Sequence, residues 1–288
     1  MGTAVRHHPI FERFEPVWAD VDEDYEVNFL GVRTRRMFWI GGDPASRDRG
    51  GLPLPDEEYL EWLDVLEAVA EARTRFVMVE LGAGWGRWLV NAAAALRRIV
   101  DIPYYLVGVE AEPTHFTWMR QHMLDNDVDL DSVDLVHAAV AASDGVVSFH
   151  MGQPDAWYGQ AIASGVEIPE DSESRDVGTA PVERTIAPVR SVSLATVIAG
   201  HRQIDLLDLD IQGAEAEVLE SGRGELDARV RRVHVGTHSA ENEARLRALF
   251  RSLGWIELND YACGREHETP YGRIAFSDGV QTWRNPKL

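Results

Sequence analysis

Apolar positions along this chain follow two periods. In "PDEEYLEWLDVLEAVAEA", Tyr59, Trp62, Leu63, Leu66, Val69 and Ala70 recur every three or four residues, which puts them on one face of an amphipathic helix. The acidic residues that open the segment suit the positive end of the helix dipole. Beyond it, short uninterrupted apolar runs alternate with helical spacing. "FVMVEL" precedes a helix across Trp88 to Ile99, "YYLVGVE" a helix from Thr114 to about Leu124, and "VDLVHAAV" follows. Asp144-Gly145 leads into "GVVSFHM", an added strand. The alternation resumes with "IDLLDLDI", a short helix ending near Gly222, "VRRVHVGT", and a helix opened by Ser239 and stopped by Gly254. "WIELND" and "GRIAFSD" are predicted to close the sheet as an antiparallel pair at its edge. Strands buried on both faces and separated by helices describe an α/β fold, a Rossmann-like doubly wound parallel sheet.

Gly and Pro punctuate this pattern. "GGDPASRDRGGLPLP", residues 41 to 55, divides an N-terminal helical arm and linker, 1–55, from the main domain, 56–288. Residues 165–185, "GVEIPEDSESRDVGTAPVERT", are acidic, polar and broken by Gly and Pro, and are expected to form a surface excursion or lid. No internal repeat is visible.

Composition narrows the function. The formal net charge of -20 over 288 residues argues against nucleic acid, whose affinity comes from cations displacing counterions. The start of the chain lacks a signal-peptide core, and no run approaches the roughly 18 apolar residues of a membrane span. Cys263 is the single cysteine, which removes internal disulfides and thiolate metal cages. A cytoplasmic protein is expected, with a homodimer as the default assembly.

The candidate chemistry begins in "VELGAGWGRW". Gly82, Gly84 and Gly86 follow the first strand, where glycine lets a ligand approach the backbone. Neither the Gly-x-Gly-x-x-Gly dinucleotide spacing nor a phosphate-binding Gly-Lys-Ser/Thr is present. A nicotinamide-dependent oxidoreductase is therefore disfavoured. Glu80, read as part of the turn, suits a cationic or amino-bearing ligand better than a pyrophosphate. Glu110, at the end of the second strand, is placed to accept from both hydroxyls of a ribose. S-adenosylmethionine matches these groups: a ribose diol, a sulfonium, an α-amino group and no phosphate.

Four segments, "VELGAGWGRW", "VGVEAEP", "AAVAASDGVVSF" and "IDLLDLDIQGAEAEVLESG" followed by "VHVGTHS", resemble the FkbM family of S-adenosylmethionine-dependent methyltransferases over roughly residues 57 to 255. The resemblance implies a seven-stranded sheet, with cofactor above the first strands and acceptor above the fourth and fifth. It places Glu80, Gly82, Gly84, Gly86 and Glu110 against the cofactor and Ala139 to Asp144 near adenine. Many members carry Lys-x-Asp-x-Glu-Gly-x-Glu in the later motif. This chain has Asp208 at the lysine and Gln212 at the first glutamate, so a catalytic lysine does not carry over.

Methyl transfer from a sulfonium asks the protein to align an acceptor and handle its proton. Asp210, Gln212 and Glu215 follow the fourth strand, and Thr237 and His238 the fifth. His238 is the candidate general base, with Asp210 as a second catalytic group. Asp210, Glu215 and His238 could instead hold Mg²⁺. His150, Trp157, Tyr158 and Gln160 form a polar and aromatic set suited to a sugar ring. The sequence is thus read as an O-methyltransferase acting on a saccharide or small secondary metabolite. A catalytically silent S-adenosylmethionine-binding module and an N-methyltransferase remain alternatives.

Overall fold

The computed structural model describes residues 7–18, 23–39, 51–152, 160–163 and 185–288. A 3-10 turn, Pro9–Arg13, opens the chain, followed by the antiparallel pair β1 (Tyr25–Val27) and β2 (Arg33–Arg35) and a second turn, Arg36–Trp39. Next come α1 (Tyr59–Glu71), β3 (Phe76–Leu81), α2 (Arg87–Ile99), β4 (Tyr104–Glu110), α3 (Pro113–Asp125) and β5 (Val133–His137). A small insertion follows: β6 (Ala139–Val140), β7 (Gly145–Met151) and β8 (Thr185–Val192). The chain continues through α4 (Leu194–Ile198), β9 (Leu206–Leu209), α5 (Glu215–Ser221), α6 (Arg223–Arg229), β10 (Arg232–Thr237) and α7 (Ala240–Leu253). It ends with β11 (Ile256–Tyr261), β12 (Arg265–Thr269), β13 (Gly272–Phe276) and β14 (Gly279–Arg284).

Seven strands form the central sheet in the order β11-β14-β10-β9-β3-β4-β5, with β14 antiparallel to both of its neighbours. The chain winds outward from β3 through β4 to β5, then returns to the other side of β3 to place β9. The point of reversal lies between β3 and β9, where ligands of open α/β sheets bind beyond the strand carboxyl ends. Alternation along β3 divides the core. Phe76 and Met78 face α1, α2 and the N-terminal arm, while Val77, Val79 and Leu81 face the layer of α4, α5, α6 and α7. The described arm shares the first core: Phe11, Phe14 and Phe29 are buried in it, and the Phe29 ring lies 5.1 Å from that of Trp62. No helix among the described residues is long and apolar enough to cross a membrane.

Two local expectations need correction. "VDLVHAAV" is not one strand: β5 ends at His137, and Ala139–Val140 pairs with β8 in a separate three-stranded sheet with β7. "GRIAFSD" does not close the main sheet, since β13 pairs with β12 in a hairpin. The closing strand is β14, "GVQTWR", with five of its six residues buried. Its polar side chains hid it in the sequence; Gln281 donates to the Glu243 carbonyl at 3.1 Å and Thr282 to Asp64 at 2.6 Å, so both are satisfied without water. The helix α6, directly after Gly222, was also not foreseen.

Candidate active site

The candidate site lies over the carboxyl ends of β3, β4, β9 and β10. Gly82, Gly84 and Gly86 all have positive φ, at 79°, 52° and 68°, a region costly for other residues. A Cβ at Gly82 would lie 1.8 Å from the Asp210 carbonyl oxygen, and one at Gly86 would lie 2.8 Å from Met119 Cγ. Contacts within the protein, rather than a ligand, therefore demand glycine at these two positions. The Gly84 amide donates to Glu110 Oε2 at 2.8 Å, and the Glu112 amide donates to Oε1 at 2.7 Å. Glu110 is thereby fixed at the tip of β4 beside the loop. Burial, only partly offset by these amides, pushes its carboxyl up to about 7.

Glu80 is not in the turn. It is the second-last position in β3, 4% exposed, and its side chain points to the face covered by α1 and α2. Its Oε2 accepts from the Leu89 amide in the first turn of α2 at 3.2 Å. Burial first, and then the charge of Asp208 on the adjacent strand, hold Glu80 well above the usual glutamate range. It is thus an internal anchor for α2 rather than a partner for a cationic ligand. Arg87, which replaces the third glycine of the dinucleotide pattern, pairs with Glu58 at 2.5 Å and stacks 4.9 Å from the Trp39 ring and 4.6 Å from that of Trp88. Its charge serves the protein rather than a phosphate.

On the far side of the candidate site, Ala139 is buried against Ala111 and Phe149, which ties the small sheet to the end of β4. Asp144 is engaged within the protein. Its Oδ1 accepts from the Ser193 amide and its Oδ2 from the Thr196 hydroxyl, each at 2.7 Å, fastening the start of α4. His150 lies in β7, its amide bonded to the Ala161 carbonyl at 2.8 Å, and Gln160 sits alongside. Trp157, Tyr158 and residues 165–184 lie outside the described residues.

Past β9 and β10, four of the expected residues do come together. Asp210 is half exposed, with 52% of its side chain accessible, whereas Glu215 is fully buried. His238 lies between them, Nδ1 2.8 Å from Glu215 Oε1 and Nε2 3.2 Å from Asp210 Oδ1. Gln212 reaches the same point: its Nε2 donates to Asp210 Oδ1 at 2.9 Å and lies 2.9 Å from His238 Nε2. Its backbone has φ +55°, a strained position for a residue with a side chain. Glu215 also accepts from the Gly213 amide at 2.8 Å and from Asn242 Nδ2 at 2.7 Å. Burial opposes a charge on His238, but Asp210 and Glu215 overcome it and hold the imidazole protonated well above the usual histidine range. Burial would raise Asp210, yet His238 more than offsets it and keeps the carboxyl below its ordinary value.

The two carboxylates favour a protonated imidazole, which weighs against His238 as the resting general base. Nor does the arrangement suit Mg²⁺, because Asp210 and Glu215 lie against opposite ring nitrogens rather than around one point. Among the described residues, the group whose potential ligand atoms approach one another closely is elsewhere: Glu61, Asp208 and His234. Asn242, at the third position of α7, was missed; its sequence signal was its spacing from the helix cap Ser239.

The sequence model of the methyltransferase FkbM domain matches residues 80–256, from the end of β3 to the start of β11. The chain belongs to the FkbM methyltransferase family. It is therefore a methyltransferase by descent. A protein from Jannaschia sp. (strain CCS1) named "Putative methyltransferase" is 29% identical over 290 residues, covering 96% of this chain and 97% of its own. The crystal structure of methyltransferase FkbM from Methylobacillus flagellatus KT overlaps with a TM-score of 0.47 at 11% identity, covering 74% of this chain, which in turn spans 45% of that protein. Precorrin-6y C5,15-methyltransferase from Geobacter metallireducens GS-15 overlaps at a TM-score of 0.43 and 11% identity, covering 85% of this chain and 96% of its own.

Proposed function

We propose that the chain is an S-adenosylmethionine-dependent O-methyltransferase acting on a hydroxyl of a saccharide or small secondary metabolite. The observation that carries this reading is the carboxylate of Asp210, half exposed, anionic and held from two sides by His238 and Gln212. Its backbone carbonyl touches the glycine turn, so the cofactor site and the acceptor carboxylate meet at the reversal point of the sheet.

The donor set fits the cofactor. Glu110 is an acceptor fixed at the tip of β4, suited to ribose hydroxyls, and the arginine next to the loop is already neutralised by Glu58. S-adenosylmethionine, when bound, supplies a methyl group activated on a sulfonium. The protein's own residues do the rest. Asp210 accepts a hydrogen bond from the acceptor hydroxyl and aligns its oxygen. A hydroxyl oxygen that took the methyl, with the sulfonium's S–C bond broken and S-adenosylhomocysteine left behind, would become strongly acidic, so a carboxylate of low basicity such as Asp210 would suffice to take its proton. Glu215 and Asn242 keep His238 in place, and His238 keeps Asp210 ionised and oriented. His150 and Gln160, with Trp157 and Tyr158 of the same stretch, are assigned to the acceptor. The net charge of -20 fits a small neutral acceptor better than a nucleic acid.

The test is transfer of labelled methyl from S-adenosylmethionine to a panel of sugars, phenols and amines. Asp210→Asn is expected to lower kcat by about 10²-fold or more while the Kd of S-adenosylhomocysteine stays unchanged. Unimpaired turnover by that variant, or methyl found on nitrogen, overturns the reading.

A further inference from the structure

A row of polar side chains crosses the middle of the sheet and is not used in the proposed reaction. Glu80 of β3, Asp208 of β9, His234 of β10 and Thr282 of β14 are successive cross-strand neighbours. Their shared face is covered by α1, which lowers Glu61 and Asp64 onto the row. Along the same face Met78 and Leu206 are fully buried apolar residues, so this is a charged line set into a hydrophobic layer.

Most of the row is accounted for. Asp64 accepts from Arg232 Nη1 at 2.9 Å, from Thr282 Oγ1 at 2.6 Å and lies 2.8 Å from His234 Nδ1. Arg232 is further occupied by Glu67 at 2.6 Å and Glu71 at 3.3 Å. Glu80 is bonded to the start of α2. What remains is Asp208, 3% exposed, whose Oδ1 is buried and has no hydrogen-bond partner. One ligand atom each from Glu61, Asp208 and His234 lies within 4.8 Å of the others. Two carboxyls and an imidazole thus converge on one point, and the basic side chain on that face is spent elsewhere.

We propose that Glu61, Asp208 and His234 form a site for one divalent transition-metal cation of the zinc class. The imidazole decides the class: with Nδ1 held by Asp64, Nε2 is the nitrogen left to ligate, the carboxylate-oriented histidine that metal sites commonly use. One nitrogen and two carboxylate oxygens suit Zn²⁺ or Co²⁺ better than Mg²⁺, which prefers an all-oxygen shell and gives up its waters reluctantly. Three protein ligands leave a position for water. Glu61 is the partly exposed member of the set and offers the route in from solvent. The ion would pin α1 to β9 and β10 directly behind Asp210 and the glycine turn. The assignment does not depend on the acceptor proposed above. The competing arrangement is one proton shared by Glu61 and Asp208, with no ion.

The probe is Co²⁺ added to chelator-treated, dialysed full-length protein, followed by visible absorption and calorimetry, with Zn²⁺ as competitor. One saturable equivalent is expected, with d–d bands that Zn²⁺ abolishes and Mg²⁺ does not. Glu61→Gln, a same-size change at a partly exposed position, should weaken binding by at least about tenfold, equivalent to roughly 1.4 kcal/mol, with a far-ultraviolet circular dichroism spectrum like that of the parent chain. Asp208→Asn should do the same. Absence of a saturable equivalent in the parent chain, or binding by both variants as tight as the parent's, overturns the site in favour of the shared proton.

Discussion

Glu80 and Glu110 invite comparison because they look alike in every local respect. Each stands at or near the end of an adjacent parallel strand, each is more than nine-tenths buried, and each accepts from a backbone amide, Glu80 from Leu89 in α2 and Glu110 from Gly84 in the glycine turn. Their heights along the sheet differ. Glu110 is the last residue of β4 and lies at the strand tip with the candidate site, whereas Glu80 falls one pleat earlier and points into the layer beneath α1. A carboxylate at the tip can be offered to a ligand. One pleat down, the same group becomes part of the sheet's internal charge system. What separates a ligand contact from a structural anchor is therefore strand register rather than residue type or proximity in sequence.

The most severe way to break this division is to remove the centre of the internal system. Asp64→Ala leaves Arg232, His234 and Thr282 without their shared acceptor, and loss of one partner from a buried charged network costs about 3–5 kcal/mol. Urea unfolding should report that loss, and a change under about 1 kcal/mol would mean the network behaves like a surface pair. Glu110→Ala should divide the other way. Two charge-assisted hydrogen bonds to ribose hydroxyls, at about 1.5 kcal/mol or more each, predict at least a 100-fold rise in the Kd of S-adenosylhomocysteine. Glu80→Ala should weaken that ligand far less while lowering stability by about 1–3 kcal/mol, the cost of an unanswered buried amide. If the two alanine variants behaved alike in both measurements, the distinction between tip and interior would fail.

A gentler test uses pH. Burial sets the free Glu110 carboxyl at about 7, and ribose hydroxyls, which donate to the ionised form, would lower it in the complex. The complex then holds fewer protons than the free protein between those two values. S-adenosylhomocysteine affinity should be level above pH 7 and fall below it, approaching tenfold per unit, until the bound carboxyl also protonates. The stability of the ligand-free chain changes in the opposite sense. A raised folded-state value means that the Glu110 contribution is present below the unfolded pKa and is lost as pH rises through about 7. Affinity that stays flat from pH 8 to about 5 would remove Glu110 from the cofactor site.

The same contrast explains what the sequence could disclose. The apolar runs and helical spacing located α1, α2, α3, α7 and the strands β3, β4, β9 and β10, because each is buried on a face that periodicity records. β14 escaped because its buried Gln281 and Thr282 are satisfied by Glu243 and Asp64 from two distant helices, which no local pattern announces. Asp210, Gln212, Glu215 and His238 were found because strand ends in a doubly wound sheet are neighbours by topology. Their roles were not legible, since the protonation of His238 depends on carboxylates arriving from two different segments. Glu61 and Asp64 were hidden inside an otherwise ordinary amphipathic helix, whose apolar spacing gives no sign that they meet the sheet.

The smallest expected effect concerns Asp144, the third acidic residue that sequence reasoning placed beside the cofactor. Like Glu80, and unlike Glu110, it is already committed within the protein, accepting from Ser193 and Thr196 at the start of α4. It differs from both in being exposed, so water can replace its bonds. The amides at that turn also have Ser193 as an alternative cap, through its hydroxyl 3.3 Å from the Thr196 amide. Asp144→Ala should therefore lower Tm by only a few degrees and leave the Kd of S-adenosylhomocysteine within about twofold, as expected for sites that share no partner. Calorimetry on that variant separates the two possibilities directly. A loss of affinity comparable to that of Glu110→Ala would show that this turn closes on the ligand, and that occupation by internal hydrogen bonds is not by itself evidence that a carboxylate is withheld from the cofactor.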